Sequence, residues 1–222
     1  MKSNNGNLRD TILACAKKMF HNLGYEETTF QKIADEVGIT KGAITYHFKN
    51  KHFIMIEIFD ECFAQIREYI DRFPNEYRNQ YWYAITTYQI MYRILLNNPR
   101  SMKLFYARGN QNLWEISKID TISDIYRKIT LDYHKQLSDE EIRVSANIDL
   151  GARRRLYHWL KEGNPLVSDP DHFCYYHMQL IGELCHLSQE DIQQNIRASF
   201  EFVKQHGIPD VPFLMDDYEY DE

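Results

Sequence analysis

Cysteine is scarce in this chain: four residues in 222, scattered as Cys15, Cys62, Cys174 and Cys185. No pair has the spacing of a zinc site or a redox motif, and the expectation is four reduced packing residues. Long apolar runs are missing too. The stretch from Phe53 to Phe59 spans seven residues and is broken by Glu57, whereas a membrane-crossing helix needs about 20. The N-terminal MKSNNGNLRD is polar and has no apolar centre of the signal-peptide kind. The expected location is therefore the cytoplasm, with no membrane partner. Catalytic signatures are also absent: no HExxH, no glycine-rich phosphate loop, no GxSxG and no Ser/His/Asp order. The chain is not expected to be an enzyme, and no cofactor is called for. Finally, no segment alternates convincingly with period two, so strands are not expected and an all-α fold is.

What is present is an uneven charge. Residues 1–51 hold eight Lys/Arg against five Asp/Glu, a net +3, which leaves −9 for the remainder of a chain that totals −6. The first quarter is the part suited to a polyanion.

The same quarter has a definite helical punctuation. Leu8, Ile12, Cys15, Ala16, Met19, Phe20 and Leu23 recur at three- and four-residue spacing, which predicts an amphipathic helix over 8–23 that Gly24 ends. A second helix is expected to start at Thr28 or Thr29, with Thr28 to Gln31 at capping-box spacing, and to bury Phe30, Ile33, Ala34 and Val37. Gly38 supplies the left-handed residue that closes it. Thr40 then caps a third helix whose inward residues are Ile44 and Phe48. Helix, tight glycine turn, helix is a helix-turn-helix, whose second helix is slim enough for a DNA major groove. Its outward positions are Lys41, Gly42, Ala43, Thr45, Tyr46 and His47, with Lys51 beginning the next helix. Lys41 at the helix start suits a phosphate or an acceptor-rich base edge. Gly42 lets backbone approach DNA closely, at a cost of roughly 1 kcal/mol against Ala in a helix. Tyr46, His47 and Lys51 are candidate phosphate donors.

TTFQKIADEVGITKGAITYHFKNKHFI, preceded by ILACAKKMFHNLGYEE, resembles the N-terminal DNA-binding domain of the TetR family of one-component bacterial transcription regulators. The likeness covers about 50 residues, with Thr28, Thr29, Ile33, Ala34, Gly38, Thr40, Gly42, Phe48 and Lys51 in register. It implies that Thr29 caps the second helix and touches phosphate, as do Tyr46, His47 and Lys51, while Lys41, Gly42, Ala43 and Thr45 face the bases or the groove edge. Thr45 departs from the family, where Tyr is commonest.

Beyond residue 50 the chain reads as helix throughout, about ten helices in all. A long helix runs from Lys51 to about Phe73, capped by Asn50 and stopped by Pro74, with Phe53, Ile56, Phe59, Phe63, Ile66 and Ile70 inward. Later boundaries fall at Asn97 to Pro99, Arg108 to Asn110, the Ser138 to Glu141 capping box, Glu162 to Pro165, Ser168 to Asp171 and Gly207. The expected division is a DNA-binding domain over 1–50, a helical ligand-binding and dimerisation domain over 51–214, and an acidic tail over 215–222. Aromatics with polar tips crowd residues 77–114, and Tyr88, Tyr92 and Trp114 are the candidates to line a small-molecule site; core packing is the competing role. The predicted helices over 138–163 and 170–186 carry more apolar surface than each can bury alone, and they occupy the positions that form the dimer interface in the family it resembles. His172, Cys174, His177, Cys185 and His186 lie along one predicted helix, but adjacent residues point apart and no acidic third ligand is evident, so no metal site is assigned. The reading is a regulator, expected to be a repressor, that binds a palindromic double-stranded DNA operator as a homodimer and is released by a small-molecule effector. The alternative is a helical interaction module, or an unannounced enzyme, that keeps the fold without binding DNA.

Overall fold

The computed structural model describes residues 4–97, 101, 104, 111–167 and 169–211. The predicted acidic tail and the boundaries at Pro99 and at Arg108 to Asn110 lie outside them, as do Phe105, Tyr106 and the side chain of Trp114. The described residues form nine α-helices and two short 3-10 turns, with no strand among them. They divide into two compact units: one holds residues 1–65, 94–111 and 210–222, the other 66–93 and 112–209.

The first unit is built on α1 (Asn4–Asn22), α2 (Phe30–Val37), α3 (Lys41–His47) and the start of α4 (Lys51–Asp71). α1 begins four residues before the apolar stripe that predicts it, because a helix can extend into polar sequence once its stripe is anchored. Ile12, Ala16, Phe20, Ile33, Ala34, Ile44, Phe48, Ile54, Met55 and Phe59 make one core, each large side chain contributing on the order of 1.5–3 kcal/mol by burial. Two expectations fail here. Leu23 is exposed, since α1 has already ended at Asn22. Phe53 is 41 % exposed while Ile54 and Met55 are buried. The buried stripe of α4 takes in Ile54, Met55, Ile58 and Cys62 beside the predicted Phe59, Ile66 and Ile70: with apolar residues at 53, 54, 55 and 56, periodicity alone cannot choose between adjacent stripes. Ion pairs from Arg9 to Glu57 and from Lys17 to Glu61 join α1 to α4.

The second unit takes the end of α4, most of α5 (Gln80–Asn97), and α6 (Gln111–Asp132), α7 (Asp139–Glu162), α8 (Pro170–Leu184) and α9 (Gln189–His206). α4 stops at Asp71, two residues short of the expected end, and a 3-10 turn over Pro74–Glu76 follows. Local chemistry sets the other boundaries. Ser138 and Glu141 form the predicted capping box at the start of α7, and Gly163 ends that helix in the left-handed conformation. Asp169 caps α8 and Ser188 caps α9. α8 and α9 pack very closely at Gly182, where an added Cβ would lie 2.5 Å from Ile192 Cγ1 and 2.9 Å from the Tyr81 hydroxyl. Of the aromatics over 77–92, Tyr81 and Trp82 are core residues: the Tyr81 hydroxyl donates to the Met178 carbonyl at 2.8 Å, and Trp82 meets Phe202 edge-on.

Candidate functional site

The helix-turn-helix is assembled by short-range hydrogen bonds. Thr29, not Thr28, caps α2: its hydroxyl accepts from the Lys32 amide at 3.2 Å. Thr28 is buried and donates its hydroxyl proton to the Gly24 carbonyl at 2.8 Å, which holds the loop before the helix. Gly38 adopts φ 75°, ψ 34°, and its amide and that of Ile39 both return to the Ala34 carbonyl. This is the left-handed closure that a residue with a Cβ adopts only at a cost. Thr40 then caps α3, accepting from the Ala43 amide at 3.2 Å, while the Phe48 amide closes the other end on Ile44.

With Ile44 and Phe48 locked inward, the opposite face of α3 is presented to solvent. Lys41, Gly42, Thr45 and Tyr46 are exposed, Tyr46 at 77 %, and Ala43 and His47 are half-buried. The Tyr46 and His47 rings meet edge-on at 5.2 Å. The Thr45 hydroxyl donates back to the Lys41 carbonyl at 3.0 Å, so its proton is already committed within the helix. Gly42 has ordinary helical backbone, and a Cβ placed there would meet only the Thr40 hydroxyl, at 3.7 Å. The glycine is therefore not required by the fold.

Lys51 has a role that spacing could not reveal. Its ammonium donates to the carbonyls of Tyr25 and Glu26 and lies 4.1 Å from the centre of the Tyr25 ring. Burial lowers its pKa, against the opposing pull of Glu26 and Glu27. It ties the start of α4, where Asn50 accepts from the His52 amide, to the loop ahead of α2. Arg9 stacks over Phe48 at 4.7 Å, bracing the end of α3 from α1.

A second candidate lies wholly inside the other unit. The Tyr92 hydroxyl is 3.0 Å from His177 Nδ1, His177 Nε2 is 2.7 Å from Asp149, and Arg153 donates to the other Asp149 oxygen at 2.6 Å. The Arg153 guanidinium lies 4.8 Å from the centre of the Tyr88 ring, which stacks on Tyr92. Burial would raise the Asp149 pKa, but the charges of Arg153 and His177 outweigh it and hold it below the usual carboxylate range. Burial lowers the pKa of His177, with Asp149 pulling the other way. Tyr88 and Tyr92 thus sit together in a buried polar cluster with Asp149 and Arg153, two residues that the sequence reading does not name. The i,i+4 spacing of those two was the signal available. His177, which the pattern grouped with Cys174, is given to Asp149 instead. Among the described residues no three His, Cys, Asp or Glu side chains gather as metal ligands.

A third surface belongs to α7 and α8. Val144, Ile148, Leu166 and Tyr176 are exposed, Leu166 at 58 %. A groove of about 460 Å³ is lined by Ala152, Leu156, Trp159, Leu166, Tyr176 and Leu180 among others.

A capped three-helix unit that turns a short helix with a lysine, a glycine and two polar-tipped side chains outward is a helix-turn-helix DNA-binding regulator. Residues 12–58 match the bacterial regulatory proteins of the tetR family. The chain is 27 % identical over 150 residues to the transcriptional repressor AcnR of Corynebacterium glutamicum, covering 67 % of this chain and 70 % of that one. It is 23 % identical over 175 residues to the transcriptional repressor KstR2 of Mycolicibacterium smegmatis, covering 72 % of this chain and 83 % of that one. TylP, a TetR regulator from Streptomyces fradiae, is superposable over 89 % of this chain and 99 % of its own at 19 % identity and a TM-score of 0.49, too loose a likeness to bear on function. The likeness to the tetR family of bacterial regulatory proteins rests on residues 12–58, which contain the whole helix-turn-helix.

Proposed function

We propose that this regulator is a cytoplasmic repressor that binds a palindromic operator as a homodimer and leaves it when a small molecule enters its second unit. The observation that carries the reading is the outward face of α3, exposed at Lys41, Gly42, Thr45 and Tyr46 and fixed by caps at both ends. Lys41, Ala43 and Thr45 are assigned to the bases or the groove edge, and Gly42 to close backbone approach. Thr29, Thr40, Tyr46, His47 and Lys51 are assigned to the neighbouring phosphates. Lys51 has three N–H donors, and its two carbonyl partners leave one for a phosphate.

Dimerisation is supported by the stripe of Val144, Ile148, Ala152, Leu156 and Trp159 along α7 and its continuation on Tyr176 and Leu180 of α8. Apolar residues at three- and four-residue spacing that stay in contact with water call for a partner, and a self-complementary face supplies one by two-fold symmetry. Two α3 helices must then lie about 34–36 Å apart to enter successive major grooves. α4, which starts three residues after α3 and contributes to both units, is the element we assign to change that distance when an effector binds. The effector site is assigned to the Tyr88 and Tyr92 cluster, with Trp114 on α6 as a further candidate. No catalytic step is part of this reading; no helix is long and apolar enough to cross a membrane among the described residues.

The test is selection of binding sites from a random double-stranded DNA pool by the purified full chain, followed by footprinting. Two symmetric half-sites are expected. No enriched sequence would remove the reading and leave the α3 face to protein contact.

A further inference from the structure

Thr45 stands on the outward face of α3 with its polar group turned back onto the helix. Its hydroxyl donates to the Lys41 carbonyl at 3.0 Å, one turn earlier, while the residue as a whole is exposed. A threonine has two branches on its β-carbon. With the oxygen committed to the preceding turn, the branch left for another molecule is the γ-methyl. The surface beside it is bare. Gly42, its i−3 neighbour on the helix face, has no side chain, and the Thr45 side chain stays more than 4 Å from the point where a Cβ of residue 42 would lie. Ala43 adds only a half-buried methyl group.

A threonine can meet DNA in three ways: its hydroxyl donates to a phosphate or base acceptor, its oxygen accepts from an adenine or cytosine amino group, or its methyl lies against that of thymine. Donation would break the bond to the Lys41 carbonyl, so one hydrogen bond is exchanged for another with little net gain. Acceptance would be a single bond, whereas adenine is distinguished by two-point contacts from Asn or Gln and cytosine by Glu or Asp. None of those four residue types occurs in α3. The methyl contact asks nothing of the hydroxyl. The thymine 5-methyl is the apolar group that the bases display in the major groove, and covering it removes apolar surface from water without loss of an existing bond.

We propose that Thr45 selects a thymine in each operator half-site through its γ-methyl group, packed against the thymine 5-methyl, while its hydroxyl stays on the Lys41 carbonyl. This rests on the reading of α3 as the helix that enters the major groove. It gives the preference at one operator position to a named residue and names the base.

The full chain is compared with Thr45→Val, which keeps the methyl and loses the hydroxyl, and with Thr45→Ser, which does the reverse, by fluorescence anisotropy on the operator obtained by selection. Thr45 is exposed, so both variants should fold, and melting curves check this. Thr45→Val should bind as tightly as the parent. Thr45→Ser should bind about fourfold less tightly per half-site, the equivalent of about 0.8 kcal/mol for one buried methyl group. Each thymine of the half-site is then replaced in turn by deoxyuridine, which lacks only the 5-methyl. At one position the replacement should weaken the parent and Thr45→Val by the same factor and leave Thr45→Ser unchanged, a non-additivity that marks direct contact between the two methyl groups. Deoxyuridine effects equal in all three proteins overturn the inference, because they give the thymine methyl to another residue. So does a loss of affinity in Thr45→Val that Thr45→Ser does not share, which assigns the contact to the hydroxyl: to a base if the loss falls at one operator position, to a phosphate if it falls on all sequences alike. A selected operator without this coupling overturns the inference alone; failure to select any DNA overturns the regulator reading and the inference with it.

Discussion

Gly42→Ala should make this protein more stable and a worse DNA binder. Gly42 is the second residue of α3, its backbone is helical, and an added Cβ would find only the Thr40 hydroxyl, at the ordinary contact distance of 3.7 Å. Replacing a helical glycine by alanine without strain stabilises by about 0.5–1 kcal/mol, through the smaller entropy lost on folding. For a chain of this size that is a rise of about 1–4 °C in Tm. If α3 enters the major groove with its backbone against the DNA at this point, the same methyl group is forced into a packed interface. Overpacking of that kind costs about 1–3 kcal/mol, or about fivefold to 150-fold in affinity for each half-site, doubled in free energy for a symmetric dimer. The assay pairs thermal denaturation of the free protein with fluorescence anisotropy on the selected operator. A variant that is more stable and binds as tightly as the parent would refute the placement of Gly42 at the DNA surface; a variant that loses both stability and DNA binding would refute the claim that the fold does not need this glycine.

Lys41→Ala should cost about 1–3 kcal/mol per half-site and relax the preference at one operator position, whereas Lys51→Ala should weaken all DNA alike and lower the slope of log affinity against log salt by about 1 per half-site. Because the Lys51 ammonium also holds the Tyr25 and Glu26 carbonyls, Lys51→Ala should in addition lower Tm, by the loss of about 1–3 kcal/mol, while Lys41→Ala should not; equal Tm values would show that this tether is idle. Ile148→Asp with Tyr176→Asp should convert a particle of twice 26.7 kDa into a folded monomer in light scattering, and a variant that stays dimeric would move the interface away from α7 and α8. Acid should destabilise the second unit in two steps: His177 has a folded pKa below its ordinary 6.5, so its unfolded form takes up a proton first and stability falls as pH drops below about 6.5. Asp149, held at about 2 against an ordinary 3.8, adds a further loss between about pH 4 and 2. His177→Asn should remove the upper step from a plot of Tm against pH, and an unchanged plot would assign that step to another group.

Much of the DNA-binding unit was determined by the sequence alone, because the interactions that shape it span three to five residues. Thr29, Gly38 and Thr40 act on amides and carbonyls a turn away, and the capping box of Ser138 with Glu141 is equally local. Once those caps are in place, Ile44 and Phe48 can only face inward, and the outward set of Lys41, Gly42, Thr45 and Tyr46 follows. Tertiary structure decided what local pattern leaves degenerate or cannot reach. Four consecutive apolar residues at 53–56 allow α4 to bury either of two neighbouring stripes, and tertiary packing chose Ile54 and Met55 over Phe53. Lys51 reads as one more cation for phosphate until folding brings it beside Tyr25, 26 residues earlier in the chain. The buried cluster is the extreme case: Tyr92 meets His177 across 85 residues and His177 meets Asp149 across 28. A histidine three residues from a cysteine and a tyrosine in an aromatic run carry no mark of that pairing, since only the packing of three helices into one core removes water from the groups and obliges them to satisfy one another.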